Sequence, residues 1–167
     1  MKRTANLILL PALLISLFFI YGCPVDMDYP PDEPGSKPID ETLLGNWKCV
    51  SDTCDDLQNI TVERNDDNSY YIYVSASGEN YMADDIEFTG YITQIDGKNF
   101  IYAEGQTSYT YFTYNYILSG NTLTLFDVGL LEGGKDSVTS IGSFRSEISA
   151  SLKKPGCLTS RRDFQKE

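Results

Sequence analysis

Chemistry in this chain could come from four cysteines, Cys23, Cys49, Cys54 and Cys157, and from clusters of carboxylates. A thiol can be acylated, oxidised to a disulfide, bind a soft metal or attack a carbonyl. Attack needs a base, and the chain holds no histidine. Nucleophilic catalysis and zinc ligation therefore lose their commonest partner. Asp52-Thr53-Cys54-Asp55-Asp56 and Asp66-Asp67-Asn68 offer oxygens that suit calcium, but neither has the spacing of a calcium loop. Asp84, Asp85 and Glu87 could pair as hydrolytic carboxylates, yet crowded loop acids ordinarily face water. Gly133-Gly134-Lys135 lacks the rest of a phosphate-binding loop. No enzyme, metal or cofactor is expected from these residues.

Cys23 differs from the other three by what precedes it. Lys2 and Arg3 form a basic head, and Leu7 to Ile20 is apolar apart from Ser16 and a proline, Pro11. Gly22 is a small residue at the cut, so residues 1–22 read as a secretory signal. The apolar run is too short to cross ~30 Å of hydrocarbon as a helix. Ile20-Tyr21-Gly22-Cys23 resembles the lipobox of bacterial lipoproteins. That resemblance implies cleavage after Gly22 and acylation of Cys23, which anchors the chain to a lipid bilayer. Pro24, where inner-membrane retention would want Asp, implies the outer membrane, on either face.

Charge narrows the partners. Lys2 and Arg3 leave with the signal, so the mature chain is two charges more acidic than the −11 of the full sequence. Nucleic acid is excluded as an expected partner, and anionic lipid surfaces are disfavoured. Residues 23–40 carry Pro24, Pro30, Pro31, Pro34 and Pro38 among five acids. Such a segment reads as a stiff, solvated tether reaching up to about 50 Å at ~3 Å per residue. Residues 41–167 are the expected domain.

That domain reads as β-structure. Runs of Tyr, Ile, Val, Phe and Thr separated by turn clusters are expected at Leu44–Ser51, Leu57–Arg64, Tyr70–Ser75, Ile86–Ile95, Lys98–Glu104, Tyr109–Leu118 and Thr122–Asp127. Gly78 marks a bend, and Asp96-Gly97 is a type I′ hairpin signal. With Gly120-Asn121 as turn residues, Tyr116 faces Leu125 and Leu118 faces Leu123, all on one face. Ile141, Phe144, Ile148 and Leu152 then recur at helical spacing, with Ser140 or Ser143 to cap the start. Pro155-Gly156 stops that helix, and Cys157 to Lys166 reads as a final strand.

Leu43-Leu44-Gly45-Asn46-Trp47 carries the Gly-x-Trp that opens the first strand in lipocalins. The strand meander, the late helix and a terminal arginine extend the likeness, so the domain resembles bacterial lipocalin-like proteins. The resemblance implies an all-β, up-and-down barrel of about eight strands with one helix before the last. It also implies a structural set of Gly45, Trp47 and Arg162, with Arg162 packed across the tryptophan. If the first and last strands pair, Cys157 arrives near Cys54, so Cys54–Cys157 is the expected disulfide, with Cys49–Cys157 close behind.

Ten tyrosines lie between Tyr70 and Tyr116. Strand propensity accounts for most of them, with about half facing solvent. Tyr102, Phe112, Tyr114 and Tyr116 are the candidates for the barrel interior. The expected function is a monomeric, membrane-anchored barrel that binds a small apolar or amphipathic ligand. The alternative is a packed barrel whose acidic surface contacts a cationic protein partner, its identity unknown.

Overall fold

The computed structural model describes residues 26–54, 57–76 and 86–167. The signal, Cys23, Asp55, Asp56, Gly78, Asp84 and Asp85 lie outside the described residues. The strands are β1 (Asp26–Met27), β2 (Gly45–Cys49), β3 (Leu57–Arg64), β4 (Tyr70–Ala76), β5 (Glu87–Ile95), β6 (Lys98–Gly105), β7 (Tyr111–Ser119), β8 (Thr122–Val128) and β9 (Leu158–Lys166). The helix α1 (Ile141–Ser151) precedes β9. Each strand from β2 to β9 pairs antiparallel with the next, and β9 returns to pair with β2. The result is a closed eight-stranded barrel. Closure leaves its strands no free edge, which is how an antiparallel sheet escapes edge-to-edge aggregation.

Local chemistry sets the turns. Asp96 and Gly97 both have positive φ, 49° and 76°, as a type I′ turn requires. Tyr116 pairs with Leu125 and Leu118 with Leu123, the register that the Gly120-Asn121 turn demands. Because connections alternate between ends, the β3–β4, β5–β6 and β7–β8 hairpins share one end, here called the floor. The other end, the mouth, carries the β2–β3, β4–β5, β6–β7 and β8–β9 connections.

Two apolar layers result. Inside the barrel, Trp47, Tyr70, Tyr116, Leu123, Leu125 and Phe164 pack together. Outside it, Met27, Ile95, Phe100, Val128, Phe144 and Ile148 form a second core beneath α1. Ser140 caps α1 by accepting from Ser143 N at 3.1 Å, and Ser143 Oγ accepts from Ser140 N at 2.9 Å. This reciprocal cap turns Phe144 and Ile148 onto the barrel wall.

Two expectations are corrected. Residues 23–40 are not a free tether from Asp26 onward: β1 pairs with β7, and Met27 and Pro31 are buried. Apolar contacts along the outer wall outweigh the extension that prolines and like charges favour. The disulfide joins Cys49 to Cys54, with Cα atoms 6.2 Å apart, and not Cys54 to Cys157. Register is the reason. Cys49 lies opposite Phe164, and Cys54 Sγ sits 3.9 Å from Asp163 O. Cys157 is six residues earlier, about 20 Å along an extended strand. Its thiol is instead buried in the outer core, donates to Gly129 O at 3.4 Å, and has its pKa raised by that burial.

A buried carboxylate helps to hold the loop between β8 and α1, together with Ser151 Oγ, which accepts from Leu131 N at 2.7 Å. Glu147 is 6 % exposed. Its oxygens accept from Glu132 N and Gly133 N, each at 2.9 Å, and from Ser151 Oγ at 3.1 Å. Burial alone would raise this carboxyl, but the backbone donors outweigh burial and hold it below its ordinary value. The stability it contributes is present above about pH 4.3, the unfolded value, and is lost as pH falls through the lower folded value. Urea titrations of wild type and Glu147→Gln should differ most near neutral pH and converge below about pH 4. A gap unchanged down to about pH 3 would refute the role given to Glu147.

Candidate site in the barrel

Strand alternation decides what lines the interior. On β7, Phe112, Tyr114 and Tyr116 belong to the inner cluster, as expected. Tyr102 does not. Ile101 and Ala103 face in, and Ala103 pairs with Phe112, so Tyr102, paired with Thr113, faces out. It is nevertheless fully buried, because residues 26–36 lie over it. Its hydroxyl donates to Glu33 O at 3.2 Å, and its ring stacks on Tyr91 at 5.4 Å between centroids.

The floor is sealed around Trp47. Its Nε1 donates to Leu43 O at 2.8 Å, and none of its surface is exposed. Tyr70, equally buried, donates its hydroxyl to Asp40 O at 3.2 Å. The cation over the indole is Lys166, 5.1 Å from the ring centroid, and not Arg162. Trp47 and Lys166 are register partners, whereas Arg162 lies opposite Leu125. Gly45 makes room for this contact: a Cβ there would come within 2.7 Å of Lys166 Cε, and its φ is +134°.

Toward the mouth the interior changes character. Register shifts between Leu125 and Asp127, with Ser160 on β9 at a positive φ of 49°. Such a bulge re-aims side chains. Here Arg162 meets Asp127 through two parallel bonds, Nη1–Oδ1 at 2.8 Å and Nη2–Oδ2 at 3.1 Å. Their side chains are 12 % and 2 % exposed. Tyr114 is the cross-strand partner of Asp127, so the fold brings a phenol, a carboxylate and a guanidinium to one stretch of wall. Sequence reading missed Asp127. Its only signal was an acid at an inward parity in the apolar run Leu123–Val128.

Around these groups the lining is apolar and partly open. Ile92, Ile101, Ala103, Phe112 and Tyr114 are intermediate in exposure although they pack on the inner cluster. Phe88 meets Phe112 edge-on at 5.9 Å. A separate open hollow of about 550 Å³ lies at the surface where β2 gives way to β3, bounded by the Cys49–Cys54 bridge, Leu57, Lys48 and Asp52, and none of the inner-wall residues named above lines it. The inner wall of Ile92, Ile101, Ala103, Phe112 and Tyr114 suits an apolar body, with Asp127 and Arg162 able to orient one end. Burial pushes the Tyr116 hydroxyl up to about 12, with the Asp40 charge adding to it, so the phenol is a hydrogen-bonding group and not a base at neutral pH.

Asp66, Asp67 and the Gly133-Gly134-Lys135 loop are taken up by structure. Asp66 Oδ1 accepts from Asn68 N at 2.7 Å, and Asp67 pairs with Arg64 at 3.0 Å. The backbone of the Gly133-Gly134 loop serves Glu147, and Lys135 pairs with Asp26 at 3.1 Å. Among the described residues, no group of three His, Cys, Asp or Glu side chains could hold a metal ion. No protein-family model, curated protein or solved structure matches this chain.

The buried pair has a measurable signature. Arg162→Met or Asp127→Leu alone should cost about 3–5 kcal/mol in urea denaturation, because each leaves a charge unpaired. The double variant should recover most of that loss. Two losses that simply add would mean that neither side chain depends on the other.

Proposed function

We propose that this protein is a lipid-anchored, lipocalin-like lipoprotein whose barrel holds a small, neutral, amphipathic molecule. One observation carries the reading: an apolar wall at Ile101, Ala103, Phe112 and Tyr114 stays partly accessible above a floor with no exposed surface at Trp47, Tyr70 and Phe164. A barrel filled throughout by its own side chains would bury its mouth-side wall as fully as its floor. The lipocalin-like part rests on Gly45-x-Trp47 with a cation over the indole, here Lys166. The anchor rests on the lipobox at Cys23, and the outer membrane on Pro24.

The preference for a neutral ligand follows from charge pairing. Asp127 and Arg162 neutralise each other. An anionic headgroup would have to displace Asp127 from a two-bond partner, and a cation would have to displace Arg162. Hydroxyl or carbonyl groups can bond to the pair's remaining edges without separating it.

Native mass spectrometry of the mature protein, purified without added ligand, should show an excess mass that vanishes on denaturation. Titration with a monoacylglycerol should show binding at least about tenfold tighter, or ~1.4 kcal/mol, than with the fatty acid anion of the same chain length. Ala103→Trp, which fills the accessible wall, should abolish both while keeping the near-ultraviolet circular dichroism of a folded barrel. A bare mass together with no monoacylglycerol binding would reject the ligand-binding reading in favour of a packed barrel acting through its acidic surface.

A further inference from the structure

The segment that composition reads as a spacer is clamped to the barrel along its length. β1 pairs with β7 through Asp26–Phe112 and Met27–Tyr111. Asp32 accepts from Thr93 Oγ1 at 2.6 Å and from Arg145 Nη1 at 3.3 Å, joining the segment to β5 and α1. Tyr102 donates to Glu33 O, and Ile39 N donates to Asp67 O at 3.1 Å. The strap therefore runs from the mouth, beside the start of β7, to Asp40 at the floor. Cys23 is three residues ahead of Asp26, at most about 10 Å of extended chain.

The same end of the barrel exposes apolar side chains. Val50 after β2 is 61 % exposed, Ile86 before β5 is 48 % and Tyr109 between β6 and β7 is 72 %. All three stand on mouth connections. Tyr109 has a positive φ of 54°. Isolated exposed apolar residues are ordinary, but these ring one opening whose lipid attachment point is a few residues away.

We propose that the strap seats the mouth of the barrel on the bilayer surface, with Val50, Ile86 and Tyr109 at the lipid interface. This rests on the acylation of Cys23 proposed above. The barrel does not stand off on a long tether, since the chain between acyl group and barrel is too short. A tyrosine suits the interface, with its ring among acyl chains and its hydroxyl in water. The partner is a zwitterionic lipid surface, because an acidic chain is repelled by an anionic one. An apolar ligand would then pass between bilayer and barrel without crossing water.

The test uses the full acylated chain in phosphatidylcholine vesicles. Tyr109→Cys at the mouth and Asn121→Cys at the floor are each labelled with an environment-sensitive dye, in a Cys157→Ser background. Spin-labelled lipids should quench the dye at position 109 and leave position 121 unaffected. Met27→Ser combined with Asp32→Ala, which frees the strap, should abolish that difference while the protein still floats with the vesicles. Acylated, vesicle-bound protein with neither position quenched, or with position 121 quenched more strongly, overturns the seating and leaves the anchor intact. An intact mass without acyl chains overturns the anchor and the seating together.

Discussion

The pairing of β9 with β2 is the constraint on which the rest of this structure depends. It joins the first and last barrel strands, so it must be made across nearly the whole domain. Once made, it converts an open meander with two exposed edges into a closed wall. Its register has chemical consequences. Trp47 opposite Lys166 puts an ammonium over the indole, beside Gly45, whose φ of +134° favours glycine. Cys49 opposite Phe164 leaves Cys54 as its available partner. The same register holds Arg162 away from the floor and brings it, through the bulge at Ser160, to Asp127.

A barrel of this size ordinarily has one buried face and one wet one. Here much of the outer face of β5, β6 and β7 is also covered, by α1 and by the strap. Aromatic residues of both parities are therefore buried, for different purposes. Tyr116 and Phe112 pack the interior, whereas Phe100 and Tyr102 glue the strap and helix to the wall. The strap is held by apolar contacts and hydrogen bonds in spite of its four prolines and five acids. Desolvation by this double layer raises the hydroxyls of Tyr70, Tyr102 and Tyr116.

The two carboxylates in the dry parts of the molecule are matched, whereas Thr113 Oγ1 is buried without a hydrogen-bond partner. Glu147 is met by two backbone donors and a serine, and Asp127 by both arms of a guanidinium. A buried pair of the second kind is weak evidence for stability, since an apolar replacement of equal volume often does as well. In the reading proposed above, the pair orients one end of a bound molecule, a role that an apolar replacement would lose. The disulfide fits the same division. It tightens a short connection at the mouth and leaves overall closure to the sheet.

Much was decided by neighbours in sequence. Strand positions, the Asp96-Gly97 turn, the Tyr116–Leu125 register across Gly120-Asn121 and the Ser140 cap of α1 all follow from alternation, turn chemistry and helical spacing. Those are interactions over a few residues, so a single sequence contains them. What only the tertiary structure decided is long-range. The inward parity of β6 excluded Tyr102 from the interior, and the β2–β9 register chose Lys166 over Arg162 and Cys49 over Cys157. Residues 26–40 became a strap because a distant apolar wall was there to receive them. The physical reason is common to all three. Each choice compares contacts between segments that lie far apart in sequence, and local propensity carries no term for contacts that exist only after the barrel has closed.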